Sequence, residues 1–237
     1  TNIGIETPFY EVKRFPCGHF TELKTKDGFR KEFFREYYSI YNIKKEKWKE
    51  KDAIHAFREL FFDSVQIRTR ADVPYGIGLS GGLDSSSVLL GVKKMLDAKG
   101  LNGKPFTFSA VFPGNEEDES NYALKAGVFF NSKINLTNPL EEFSMDDFVN
   151  HIYHQDLLPP NASYYSEWKV SQLAKKNEVP VVLVGHGGDE LFAGYHSHFD
   201  TFMLQNFRKF KFLNVIREIK KYAGHKSPLC LWRGCWG

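Results

Sequence analysis

The spacing of apolar residues changes period along the chain. Ile54, Phe57, Phe61 and Val65 recur at intervals of three and four, which predicts a helix with one apolar face packed on a sheet. Beyond Val73 the pattern becomes short, nearly continuous apolar runs. Residues 75–79, 106–112, 133–137 and 181–184 read as buried strands. Between them lie predicted helices at 84–99, 119–130, 144–155 and 163–177, and another begins at Asp189. Gly100 stands just past the end of the 84–99 helix, where a left-handed cap residue is usual. Strand and helix alternate from 73 to 195, so the expected fold is α/β: a parallel sheet with helices on both faces. Residues 1–40 differ. Short aromatic runs broken by Pro8, Pro16-Cys17-Gly18 and Asp27-Gly28 predict a short N-terminal β segment. The basic, amphipathic stretch 207–221 predicts a helix packed on the domain with its charges in water.

Composition narrows the function classes. With 42% hydrophobic and 26% charged residues among 237, the chain can bury a core, which excludes a disordered polymer. No apolar run approaches the roughly 18 residues of a membrane span. The first twenty residues lack the plan of a signal peptide. The three cysteines, Cys17, Cys230 and Cys235, are too few and odd in number for a disulfide framework. A reducing, cytoplasmic location is therefore expected. A net charge of +3 is too small to argue for nucleic acid as a partner.

The loop Leu79-Ser80-Gly81-Gly82-Leu83-Asp84-Ser85-Ser86 joins a strand to a helix. Ligands of open parallel sheets bind beyond the carboxyl ends of strands. Glycines let the backbone amides approach a ligand, serines add hydroxyls, and the helix start favours negative charge. Together these point to a polyanion such as pyrophosphate. The loop lacks the Gly-Lys-Ser/Thr ending of a P-loop, and Asp84 occupies its mouth. A carboxylate beside phosphates needs a cation between them, which makes Asp84 a candidate Mg²⁺ ligand. A second strand, Gly-rich loop and helix start follow at 181–195. There Asp189 is either a helix cap or a second carboxylate for the metal.

The segment Ser80–Ser86 resembles the pyrophosphate loop of the ATP pyrophosphatase superfamily. The run Gly185-His186-Gly187-Gly188-Asp189-Glu190-Leu191-Phe192-Ala193-Gly194-Tyr195 resembles a longer signature, that of the glutamine-hydrolysing asparagine synthetase family. Two weaker likenesses agree. Residues 7–20 are similar to the segment joining the glutaminase and synthetase domains, with Cys17 where proline is usual. His154-Gln155-Asp156, followed by Glu167-Trp168, is similar to the substrate loop of one branch. The resemblance covers roughly 7–200 and implies an adenine-nucleotide α-hydrolase-like fold.

By position, the resemblance implies that Leu79 and Ala110 line the adenine and ribose pocket, with Val184 and Gly185 opposite. Ser80, Gly81, Gly82, Ser85 and Ser86 would hold pyrophosphate, and Asp84 and Asp189 would bind Mg²⁺. His186 stands where the family has a glutamate needed to form its acyl-adenylate. Asp156 is the acidic group left in the substrate loop, where Leu157-Leu158-Pro159-Pro160 replaces the usual Glu-Pro. The implied activity is that of a carbon–nitrogen ligase. A carboxylate, aspartate or a related acid, is activated by ATP as an acyl-AMP, pyrophosphate leaves, and ammonia or an amine forms the amide. The implied partners are that small acid and an ammonia donor, with neither membrane nor nucleic acid. A β-lactam synthetase-like or tRNA-modifying adenylating enzyme, and a nucleotide-binding fragment without turnover, remain alternative readings.

The implied organisation is a glutaminase remnant and linker at 1–45, the synthetase domain at 46–200, and a partial helical extension at 201–237. On this reading the chain is truncated at both ends and the glutaminase domain lies outside it. The Cys- and Trp-rich ending at 229–237 would be a non-native terminus. Three further features carry weaker expectations. His151 with His154, and His196 with His198, have spacings compatible with metal but read as surface or hydrogen-bonded histidines. Cys230 and Cys235 lack ligand partners. Glu116-Glu117-Asp118-Glu119 reads as a solvated helix start.

Overall fold

The computed structural model describes residues 6–24, 30–31, 34–101, 103–115 and 118–225. The turn read at Asp27-Gly28, the acids Glu116 and Glu117, and the tail with Cys230 and Cys235 lie outside the described residues. Two compact units make up the chain, Thr1–Ala56 and Phe57–Gly237. No helix among the described residues is long and apolar enough to cross a membrane.

Among the described residues, the first unit contains four two-residue strands, β1 (His19–Phe20), β2 (Leu23–Lys24), β3 (Arg30–Lys31) and β4 (Arg35–Glu36). They form two antiparallel pairs, β1 with β4 and β2 with β3. Many of its aromatic side chains, among them Tyr10, Tyr37 and Tyr41, are exposed. Helix α1 (Glu50–Arg68) begins in this unit and ends in the second.

The second unit follows the predicted alternation closely: β5 (Tyr75–Gly78), α2 (Leu83–Ala98), β6 (Phe106–Ala110), α3 (Ser120–Phe129), β7 (Lys133–Thr137), α4 (Met145–Gln155), α5 (Ser163–Lys176), β8 (Val181–Leu183), α6 (Gly188–Phe192), α7 (His196–Arg208) and α8 (Phe212–His225). All four strands are parallel, in the order β7-β6-β5-β8. The chain steps outward from β5 to β6 to β7, then returns to add β8 on the other side of β5. Right-handed crossovers therefore put α2 and α3 on one face and α5 on the other. The two cores bear this out. On one face Ile77, Leu79 and Leu89 pack with Val92, Ala123 and Val65 of α1. On the other, Phe108 packs with Ala174 and Val179, against Val170 and Leu173 of α5. Strand side chains alternate between faces, so Phe108 and Ile77, both fully buried, belong to opposite cores.

Four helices close with the same hydrogen-bond pattern. The residue after the cap takes positive φ, and the next amide reaches back five residues. The bonds are Leu101 to Leu96, Ser132 to Gly127, Val179 to Ala174 and Lys211 to Asn206, at 2.8–3.0 Å. The left-handed residues are Gly100, Asn131, Glu178 and Phe210. The last of these corrects an expectation. The basic stretch 207–221 is not one helix, because Phe210, at φ 55°, ends α7 and a new helix starts at Phe212. The apolar stripe of α1 is also only half used. Phe61 and Val65 reach the core, while Ile54 and Phe57 remain exposed, Phe57 edge-on to Phe192 at 4.8 Å.

Candidate functional site

The point where strand order reverses lies between β5 and β8, and the loops that follow these strands open side by side. Their separation in sequence is large, yet Tyr75, Gly76 and Ile77 pair directly with Val181, Val182 and Leu183. In such sheets this is where a crevice forms for a ligand.

The loop after β5 is braced from within. The Leu79 N–H donates to the Phe108 carbonyl at 2.9 Å, and the Ser109 hydroxyl donates to the Leu79 carbonyl at 2.6 Å. The buried Ser85 hydroxyl lies 3.0 Å from Ser80 Oγ, accepts from the Ser80 N–H and donates to the Gly82 carbonyl. Ser80 Oγ also accepts from the Gly82 N–H. These two serines hold the loop in shape, whereas Ser86 Oγ makes no hydrogen bond among the described residues. Gly81 turns the chain at φ 90°, with the start of α3 directly behind it. Gly82 is the N-cap of α2 and brings no side-chain cap. The first amides of α2 thus lack an intrahelical acceptor, the arrangement that binds anions.

The loop after β8 meets this helix start at two glycines. A Cβ on Gly185 would lie 2.7 Å from the Ser85 amide nitrogen and 3.0 Å from Asp84 Cβ. A Cβ on Gly188 would strike the Asp84 carboxylate. Asp84 therefore lies over the backbone one residue before Asp189, whose own carboxylate lies against Gly194. Tyr195 senses both. Its hydroxyl donates to Glu190 Oε1 at 2.8 Å, and that bond, with burial and the charges of Glu190, Asp189 and Asp84, raises its pKa. The same hydrogen bond is the main reason the Glu190 carboxyl is held low.

The remaining predicted residues divide. Val184, half-exposed, lies against Gly78 at the end of β5, and Ala110 ends β6. The Leu79 side chain is 2% exposed and belongs to the core, so it reaches a ligand pocket only through its backbone neighbours. Asp156 is exposed at the C-cap of α4, with φ 55°, and makes no side-chain hydrogen bond or ion pair among the described residues. His186 is exposed and its Nε2 lies 3.2 Å from Glu167 Oε1 on α5. The sequence likeness at Glu167-Trp168 implies no role for the Glu167 carboxylate.

Behind Glu167 stands a polar cluster that the sequence did not reveal. Asp147 of α4 accepts from Tyr165 (2.9 Å), Trp168 (3.0 Å), Lys169 (3.3 Å) and Gln172 (2.6 Å), all on α5. Burial pushes its carboxyl up, but these donors outweigh that and hold it at about 2. Burial and the bond to Asp147 push Tyr165 up to about 12. His151 is corrected by the structure. It is fully buried against Phe148, Tyr165 and Trp168, and neither ring nitrogen has a hydrogen-bond partner among the described residues. His154 stacks on Trp168 at 5.3 Å. The helix start near 119 is held by Asp118, which accepts from Ser120 and Phe112 and is thereby kept at low pKa, rather than by Glu119.

The chain has an open parallel α/β sheet with an uncapped helix start at its switch point, the place where ligands of such sheets bind. The asparagine synthase family model matches residues 56–231, and the chain belongs to that family. It is 34% identical over 183 residues to a Methanocaldococcus jannaschii protein bearing the name of a second glutamine-hydrolysing asparagine synthetase, covering 76% of this chain and 33% of that one. It is 28% identical over 211 residues to "Asparagine synthetase [glutamine-hydrolyzing] 1" of Bacillus subtilis, covering 85% and 31%. It is also 28% identical over 155 residues to "Amidase chyE" of Penicillium rubens, covering 62% and 23%. The chain thus spans about a third or less of the length of these relatives. Among solved structures, the NH3-dependent NAD synthetase of Campylobacter jejuni matches 60% of each chain at 17% identity, with a TM-score of 0.37, too slight a likeness to bear on the site.

Proposed function

We propose that this chain carries the ATP-dependent, amide-forming ligase chemistry of the asparagine synthetase type. One observation carries the reading: the two Gly-rich loops meet at the switch point, so that Asp84 lies over Gly188, next to Asp189. The α2 amides and Ser86 would bind the pyrophosphate portion of ATP. Val184, Gly185 and the neighbourhood of Ala110 would take the nucleoside.

Asp84 and Asp189 would hold Mg²⁺. The donor set fits, since Mg²⁺ takes one or two carboxylates and completes its shell with phosphate oxygens and water. No group of three or more acidic, His or Cys side chains that could hold a metal occurs among the described residues, so the ion would bind together with the nucleotide. When bound, it supplies charge neutralisation for the departing pyrophosphate.

The acid substrate, aspartate or a relative, would attack the α-phosphate to give an acyl-AMP, and ammonia or an amine would then form the amide. Residues 46–200 would form the synthetase domain, 1–45 the end of a glutaminase domain with its linker, and 201–237 part of a helical extension. Incubation with ATP, Mg²⁺, ammonia and a panel of carboxylic acids should release AMP and pyrophosphate with at least one acid. Asp84→Asn should abolish that release. Absence of AMP across the panel would sink the reading, and persistence in Asp84→Asn would sink the metal assignment.

A further inference from the structure

We propose that Glu167 and His186 form the proton-accepting pair of the amide-forming half-reaction, with His186 as the base and Glu167 as its positioning residue. The proposal rests on the ligase reading above and goes beyond it. The two side chains come from different elements, α5 and the loop after β8, and approach to 3.2 Å. Both are more than half exposed, so a substrate can reach them. The other acidic groups nearby are committed elsewhere. Glu190 is tied to the Tyr195 hydroxyl, Asp84 lies over Gly188, and the Asp189 carboxylate lies against Gly194. Lys169, two residues beyond Glu167, is turned to Asp147 and Glu142 and does not compete for the Glu167 carboxylate.

Glu167 is not on a loose helix. Its neighbours Trp168 and Lys169 both donate to Asp147, as do Tyr165 and Gln172. These four bonds fix the rotation of α5 and so aim Glu167 at the second loop. A carboxylate beside Nε2 favours the tautomer with its hydrogen on Nε2, which leaves the Nδ1 lone pair as acceptor. It also stabilises the imidazolium that forms when a proton is taken. Such pairs tighten when substrate binds.

In the step itself, the lone pair of the attacking nitrogen forms the C–N bond to the activated acyl carbon. The C–O bond to the AMP phosphate breaks, and its electron pair leaves with AMP. The surplus N–H proton passes to His186 Nδ1 and from there to water.

The test uses the full chain, ATP, Mg²⁺ and an acid that supports exchange of labelled pyrophosphate into ATP. Exchange reads adenylation alone, and amide formation with ammonia reads the second half. His186→Ala should slow amide formation about 100-fold more than it slows exchange, and Glu167→Gln should slow amide formation about 10-fold more than exchange. Adding Glu167→Gln to His186→Ala should cost nothing further, and added imidazole should restore part of the His186→Ala rate. Nitrogen-15 spectra of His186 should show the Nε2-protonated tautomer in the unsubstituted chain and a mixture in Glu167→Gln. An equal loss in both halves, an undiminished Glu167→Gln effect without His186, or an unchanged tautomer would overturn the pair. If the unsubstituted chain shows no exchange with any acid, the ligase reading itself fails and the pair goes with it.

Discussion

Three glycines separate backbone strain from steric contact, and the comparison tests the geometry of the first loop. Gly81 suffers both when replaced by alanine. Its φ of 90° costs an L-residue about 1–2 kcal/mol. The new Cβ would lie 2.6 Å from the Ala123 amide nitrogen, 2.8 Å from Tyr122 Cβ and 3.0 Å from the Glu119 carbonyl oxygen. Two of these atoms are backbone at the start of α3 and cannot swing aside, so overpacking adds about 1–3 kcal/mol. The lower entropy of the unfolded alanine chain returns about 0.4–1 kcal/mol. The expected net loss is about 2–4 kcal/mol, or a fall in Tm of about 5–15 °C for a unit of this size. Gly100→Ala meets strain alone, since its φ is 66° and no atom lies within 4 Å, and should lose about 1 kcal/mol. Gly82→Ala meets neither, with φ −65° and Ser80 Oγ at 3.4 Å, and should lose about 0.5 kcal/mol, the difference between glycine and alanine at an N-cap. Urea unfolding and calorimetry of the three variants give the order directly. A Gly81→Ala protein no less stable than Gly100→Ala would refute the close contact between this loop and α3.

Three further outcomes follow from the helical side of the sheet. Asp147 is held at about 2 in the folded chain, below its ordinary 3.8. Its contribution is present above that ordinary value and is lost as pH falls towards about 2. The gap in unfolding free energy between the wild type and Asp147→Asn, from urea titrations, should therefore shrink by about 2 kcal/mol over that window, and a gap independent of pH would contradict it. His151→Leu removes two buried ring nitrogens without partners, so thermal unfolding should show a neutral or stabilising change, and a loss above about 2 kcal/mol would mean that the ring has a partner. Glu178→Gly relieves a left-handed residue at the end of α5 and should gain about 0.5–1 kcal/mol in urea.

The alternation of apolar runs and helical stretches was enough to place every strand of the sheet within two residues of its observed ends. Parallel strands buried on both faces have little freedom to look otherwise. The two Gly-rich loops were equally legible, because turns and close approaches leave local compositional marks. Contacts across the sequence left none. Asp147 meets α5 partners 18–25 residues away, and nothing in its neighbourhood marks it as a hub. The pairing of Glu167 with His186 depends on the register of α5 against the loop after β8. Gly100 advertised a helix end, but Glu178 and Phe210 perform the same turn with side chains that ordinarily avoid it. The serines of the first loop read alike in sequence. Only the folded chain shows that Ser80 and Ser85 face each other while Ser86 does not join them.

The place of β8 has a consequence for how the crevice is lost. The first loop hangs from β5, in the middle of the described sheet, but the second hangs from a three-residue strand at its edge. Edge segments open at lower free energy than central ones. A transient detachment of 181–183 would carry away Gly185, Gly188 and Asp189 and withdraw only Leu183 from one core and Val182 from the other. The capacity to bind would thus vanish at a lower free-energy cost than global unfolding. A ligand gripping both loops would act as a clasp on that edge, slowing amide exchange along 181–183 well before it altered exchange along 106–110.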